Sequence, residues 1–284
     1  MSDTGRRADL IRALAILAEP PAGGHGPVAE ALGLEGSPDR GEHAAIFLFG
    51  AYPYASVYLG AEGMLGGDAR DRVAGFWRAL GLVPPAEPDH LAALLGLYAA
   101  LLERRDDAGS RGPAIAHAAT ALLWEHLLPW AMPFLDKVEE LGGAFYASWS
   151  RLLGATLLAE ATTTDRPAAL PLHLRLAPGP PADEADAQRR LGALLAPVRS
   201  GLVITRWDLR RGAATLGIHA RVGERAFMLR SLAEQDPVAT AGWLVVEATR
   251  AAERHRALEP SLGTIATFWR HRAEASAAAL AEAA

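Results

Sequence analysis

The sequence predicts an all-α protein, a helical bundle with an additional C-terminal helical extension, and two observations predict it. Apolar residues recur at i, i+3, i+4 and i+7 in the longer segments, the repeat of one face of a helix. Ala and Leu are abundant whereas runs of β-branched residues are scarce, so intrinsic preference agrees with the period.

The first helix carries Leu10, Ile11, Leu14 and Leu17 on one face. Arg6 and Arg7 ahead of it give a rough likeness of an export signal, but Asp9, Arg12 and Glu19 interrupt the apolar run such a signal requires. Tyr52-Pro53-Tyr54 lies between a short apolar run ending at Gly50 and a Gly-rich turn at residues 63–67, which reads as a loop. The clearest helix follows, with Leu91, Leu94, Leu95, Tyr98, Leu101 and Leu102 on its face; it is predicted to open at Pro88, with Asp89 in the first turn against the helix dipole. A further helix is predicted from Ala114 to Leu128, broken or kinked at Pro129 and Pro133 and resuming through Phe134, Leu135, Val138 and Leu141. Gly142-Gly143 ends that piece, and Phe145, Trp149, Leu152, Leu153 and Leu157 form the next buried face.

Five prolines between Asp165 and Asp186 mark the best boundary, giving a helical domain at 1–165, a Pro-rich linker or docked extended segment at 166–185 and a helical extension at 186–284. Within the linker, Leu170, Leu172, Leu174 and Leu176 alternate with other residues at the two-residue period of extended chain. Helical patterns return at about 186–196, 205–216, 223–235 and 237–257, and from about 264.

Composition excludes several chemistries. The 284 residues include no Cys, which removes disulfides, iron–sulfur clusters, thiolate zinc and a cysteine nucleophile. With 28 basic and 33 acidic residues the net charge is −5, against general nucleic-acid binding. Residues 1–165 hold 12 basic and 21 acidic groups and residues 166–284 hold 16 and 12, so the acidic surface is N-terminal. No stretch approaches a membrane span, and a cytoplasmic location is expected. Phosphate loops, dinucleotide fingerprints, the HExxH helix and the serine elbow are all missing from the sequence.

Two acidic-His pairs remain, Asp89-His90 and Glu125-His126. Carboxylate and imidazole are ligands for a hard metal or partners in general base chemistry. Adjacent helical residues point about 100° apart, however, so each pair offers one ligand to a common centre. The alternative use is capping by Asp89 and a satisfied, partly buried histidine. An aromatic group accompanies them: Tyr52, Tyr54, Tyr58, Phe76, Trp77, Trp124 and Trp130, as core filling or as a loop-borne binding surface.

Three stretches in order resemble the TorD/DmsD/NarJ family of molybdoenzyme maturation chaperones. Phe47-Leu48-Phe49-Gly50, then Tyr52-Pro53-Tyr54-Ala55-Ser56-Val57-Tyr58-Leu59, is similar to that family's LF.GP…PP(W/Y)ESVY stretch. Glu87-Pro88-Asp89-His90 ahead of a Leu-rich helix is similar to its E-P-x-D-H signature. Glu125-His126-Leu127-Leu128-Pro129-Trp130, with Phe134 and then Phe145-Tyr146, is similar to its (E)HL..W…F……FY stretch. Ala55 departs from the Glu or Gly common at that place, and residues 166–284 fall outside the family core.

The resemblance implies an all-helical bundle of the TorD-like type with no catalysis and no cofactor of its own, as a monomer or domain-swapped dimer. Its implied partner is the apo catalytic subunit of a dimethyl-sulfoxide-reductase-type molybdoenzyme, whose N-terminal, often twin-arginine, segment it binds while molybdopterin is inserted. Carboxylates beside an apolar groove suit two guanidinium groups followed by an apolar helix. The residues assigned to that task are Tyr54, Ser56, Tyr58, Trp77, Glu87, Asp89, His90, Glu125, His126 and Trp130. The competing reading is a helical metal-dependent hydrolase using Asp89, His90, Glu125 and His126; a third places nucleic acid on the C-terminal arginines Arg206, Arg210 and Arg211, against a solvated face.

Overall fold

The computed structural model describes residues 3–107, 109–184 and 186–282, and among these residues every regular element is helical, with no strand. The chain forms two compact units, one of residues 1–56 and 66–168, the other of residues 57–65 and 169–284. Among the described residues no helix is long and apolar enough to cross a membrane.

The first unit begins with α1 (Asp3–Ile16), α2 (His25–Ala31) and α3 (Arg40–His43); Asp39 caps α3 by accepting from the Glu42 N–H at 2.8 Å. A π-helical turn (Ala44–Leu48) follows, then α4 (Ala55–Leu59), of which residues 57–59 are counted in the second unit, α5 (Gly67–Ala79), α6 (Leu91–Asp107), α7 (Gly112–Ala121), a second π-helical turn (Leu122–Leu127), α8 (Leu128–Leu141) and α9 (Ala144–Thr162). Helix α1 packs along α6, α6 pairs with α7, and α8 pairs with α9. The aromatic residues of the sequence motifs fill this core. Phe47 lies 6.1 Å from Phe134 and 5.9 Å from Trp149, ring centre to ring centre, and meets Tyr146 edge-on at 5.2 Å. One buried ion pair ties three helices: Arg7 donates to both Glu160 oxygens at 2.7 and 2.5 Å, and the Tyr98 hydroxyl donates to the same carboxylate at 2.8 Å.

Two local expectations are corrected. Helix α6 opens at Leu91 and not at Pro88, because Glu87 to His90 are occupied in pairing with another segment. The prolines do not break α8: Pro129 sits in its first turn, where no N–H partner is needed, and Pro133 continues the helix while forgoing one hydrogen bond. The interruption falls before them, in the π-helical turn that carries Glu125 and His126.

The second unit comprises α10 (Leu172–Arg175), α11 (Ala187–Leu194), α12 (Pro197–Ser200), α13 (Arg206–Leu216), α14 (Arg225–Gln235), α15 (Pro237–Leu262) and α16 (Thr264–Glu282). The alternating leucines are therefore not extended: Leu172–Arg175 make a helical turn that buries His173 and Leu174. Helices α15 and α16 form an antiparallel hairpin against α12, α13 and α14, around Leu202, Ile204, Leu209, Leu229, Leu232 and Leu244. Gly201, at φ +73°, lets the chain pass the α16 backbone at Trp269 and Ala273, where a Cβ would collide. The 57–65 segment is held in this unit at Gly63. Its carbonyl accepts from Arg225 at 3.2 Å, and a Cβ there would stand 2.9 Å from Ala196 Cα.

Candidate functional site

Pro53 and Pro88 keep two segments of the first unit out of helices, and the two segments pair instead. The Leu91 N–H donates to the Pro53 carbonyl at 2.8 Å and the Ala55 N–H to the Asp89 carbonyl at 3.0 Å, around an antiparallel bridge between Tyr54 and His90. The Asp89 side chain, 1% exposed, completes the knot by accepting from the Ser56 N–H at 3.0 Å, in the first turn of α4. Ser56 is also buried, and its hydroxyl accepts from the Gly66 N–H at 3.1 Å. A buried carboxylate is costly unless such donors satisfy it.

His90 caps its own helix: Nδ1 accepts from the Ala92 N–H at 3.2 Å, which places the proton of the neutral ring on Nε2. Glu19 Oε1 stands 3.6 Å from the same nitrogen, a spacing that would suit a protonated ring. Burial lowers the His90 pKa below its ordinary value, against Glu19, Glu87 and Asp89, which raise it. The lowered pKa and the Ala92 bond agree on the neutral form. The Tyr54 ring meets His90 edge-on at 4.9 Å and its hydroxyl donates to the Glu87 carboxylate; burial pushes the Tyr54 pKa up. Three carboxylates thus gather at a neutral imidazole, and of these Glu87 and Glu19 are exposed.

Trp77 joins the knot to a groove. Its Nε1 donates to the Pro88 carbonyl at 3.2 Å, and its ring lines a cavity of about 950 Å³ between α5, α6 and α7. Ala92, Ala93, Gly96, Leu97 and Ala100 form the α6 wall and Ala114, Ile115 and Ala118 the α7 wall. Leu80, Leu82 and Pro85 border it beside Trp77, while Arg104 and Arg111 border it where α6 passes into α7. The floor is wide because α6 turns small residues toward it and keeps Leu91, Leu94, Leu95 and Tyr98 in the core.

The remaining assigned residues fall elsewhere. Glu125 and His126 are half-buried on the second π-helical turn; the His126 ring lies 4.7 Å from Phe76, and burial alone takes its pKa down to about 4. Trp130 is fully buried, its Nε1 donating to the His126 carbonyl at 2.8 Å and its ring 5.6 Å from Phe134. Tyr58 is fully buried in the 57–65 segment of the second unit. Among the described residues no group of three or more His, Asp or Glu side chains could hold a metal ion, which removes the geometric basis of the hydrolase reading from Asp89, His90, Glu125 and His126. Of the C-terminal arginines, Arg211 pairs with Asp208 at 2.9 Å and Arg210 stacks over Trp207 at 5.4 Å.

Sequence reasoning missed Glu19, 71 positions before His90, and the groove walls. The wall residues did carry a signal, since Ala92, Gly96 and Ala100 recur every fourth position in a Leu-rich helix.

The fold defines an all-helical bundle protein. Residues 42–136, 95 of the 284, match the family model described as nitrate reductase delta subunit. That segment contains the first two motif stretches and most of the third, so the match falls on the stretches that carry the resemblance to the TorD/DmsD/NarJ family. No curated protein matches the sequence.

Proposed function

We propose that this protein is a cytoplasmic maturation chaperone that seats the N-terminal segment of a molybdopterin-dependent oxidoreductase, of the dimethyl-sulfoxide-reductase type, in the α5–α6–α7 groove. The client segment carries twin arginines where the client is exported, and the chaperone holds it until the cofactor is inserted. The observation that carries the reading is the adjacency of an apolar groove of about 950 Å³ to exposed Glu87, through the Trp77–Pro88 hydrogen bond. A helix lays an apolar face into such a groove, and guanidinium groups at its start pair with carboxylates at the rim.

Within this reading the assigned residues divide by burial. Glu87, Trp77 and Tyr54 are accessible enough to meet the client, and His90 sits at their centre with its proton on Nε2. Asp89 and Ser56 fix the backbone that presents Glu87. His126 supports α5 through Phe76 from the second π-helical turn, which also carries Glu125, and Trp130 of α8 holds the His126 carbonyl. Tyr58 holds its own segment within the second unit.

Calorimetric titration with the synthetic leader of a candidate client tests this. Micromolar binding is expected, weakened about ten-fold by changing both leader arginines to Gln, and made insensitive to that change in Glu87→Gln protein. Equal affinity of the arginine and glutamine leaders for the unaltered protein would sink the acidic-rim reading.

A further inference from the structure

The two ends of the groove differ: at one, Trp77 bonds the Pro88 carbonyl beside the exposed Glu87, and at the other Arg104 and Arg111 line the cavity. Beside the Trp77 end the exposed Glu87 and Glu19 stand near the neutral His90, while Asp89 is buried on the Ser56 N–H; Arg70 is already engaged, donating to the Ala86 carbonyl at 3.1 Å and pairing with Asp71 at 3.3 Å. At the other end Arg104 and Arg111 are exposed and line the groove. From Ala92 to Arg104 helix α6 advances 12 residues, or about 18 Å at 1.5 Å per residue.

From this charge separation we infer that the groove fixes the direction of the client helix, its N-terminus at Glu87 and its C-terminus between Arg104 and Arg111, and that it selects a carboxylate in the client's last turn, a groove length or more after the client's basic residues. The inference rests on the proposed function and concerns the same site. Two independent effects favour that direction. The positive end of the helix dipole and any N-terminal guanidinium groups both prefer the carboxylates. The negative end of the dipole, with the last turn's free carbonyls and an acidic side chain, prefers the arginines. The reverse orientation opposes like charges at both ends. A segment with arginines at both ends of its apolar run is therefore discriminated against, by repulsion at Arg104 and Arg111.

The cysteine-free chain makes the direction measurable. Ala79→Cys marks the Trp77 end and Ala114→Cys the arginine end, both at exposed helical alanines that line the groove. Leader peptides with a single cysteine at either terminus are bound to each full-length variant and oxidised, and disulfide yields are compared. The N-terminal cysteine is expected to couple at least five-fold better to Ala79→Cys and the C-terminal cysteine at least five-fold better to Ala114→Cys. Replacing the leader's last-turn Glu by Gln is expected to weaken binding about three-fold, an effect lost in Arg104→Gln/Arg111→Gln protein. The opposite pairing, or equal yields at both sites, overturns the inferred direction. Binding in the titration without coupling at either site overturns the seat of the peptide while leaving the chaperone function standing. No binding of any leader removes the proposed function, and this inference with it.

Discussion

In the first unit the polar contacts that hold the site and its core are buried: Arg7 and Tyr98 both donate to Glu160, and the Ser56 N–H donates to Asp89. The second unit has a buried cap of its own, Thr205 on Asp208, but much of its ion pairing runs along helix faces at the surface, with Arg256 on Glu274 and Arg250 on Glu247. A buried contact fixes geometry at a cost in desolvation, whereas a surface pair mainly keeps a helix face soluble. The acids of the first unit therefore hold a site in shape. Arg199, Arg211, Arg250, Arg256 and Arg270 of the second unit pair with carboxylates of the same unit.

The contrast is broken most severely at Glu160. Glu160→Ala leaves the Arg7 guanidinium half-buried without its partner and is expected to destabilise the protein by about 3 kcal/mol, measured by denaturant unfolding.

Acid sharpens the comparison by striking both units alike. Burial lowers His126 and His255 to about 4 from an ordinary 6.5. A histidine held neutral binds fewer protons folded than unfolded, so its stabilisation is complete above pH 6.5 and is lost as pH falls toward 4. Each is worth on the order of 3 kcal/mol over that window. Unfolding midpoints across the window are expected to fall steeply in the unaltered protein and less steeply in His255→Gln.

Asp89 and Glu87 separate support from contact within one knot. Asp89→Ala leaves the Ser56 N–H unsatisfied and is expected to cost about 2 kcal/mol of stability, so any loss of client affinity in that variant mixes two effects. Glu87→Gln, on an exposed side chain, is expected to leave the melting temperature unchanged while weakening client binding. The smallest expected effect lies in the second unit. Arg256→Ala removes an exposed pair and should shift stability by less than about 0.5 kcal/mol.

The helices were legible because local periodicity sets them: Leu91 to Leu102 and Phe145 to Leu157 read directly as buried faces. The family resemblance was legible from three ordered stretches, and the matched segment contains the first two and most of the third. What a local pattern could not carry was contact at long range. Asp89 looked like a cap for its own helix, yet its carboxylate serves Ser56, 33 positions earlier, and His90 provides the cap. The π-helical turn at Leu122–Leu127 has a five-residue hydrogen-bond step that sequence period does not announce, so the interruption was placed at the prolines that follow it. The groove stayed hidden because small residues on a helix also read as a close-packing face. Only the absence of a neighbour over Gly96 separates the two, since a Cβ there would meet nothing within 4 Å.

That glycine gives the most direct test. Gly96→Leu fills the groove from its floor and replaces a poor helix former in mid-helix by a good one, a gain of about 1 kcal/mol. Titration of this variant with a client leader, beside its melting temperature, is the decisive measurement. The expected result is a melting temperature equal to or above that of the unaltered protein and an affinity at least ten-fold weaker. Unchanged affinity in the stably folded variant would contradict the groove as the seat of the client.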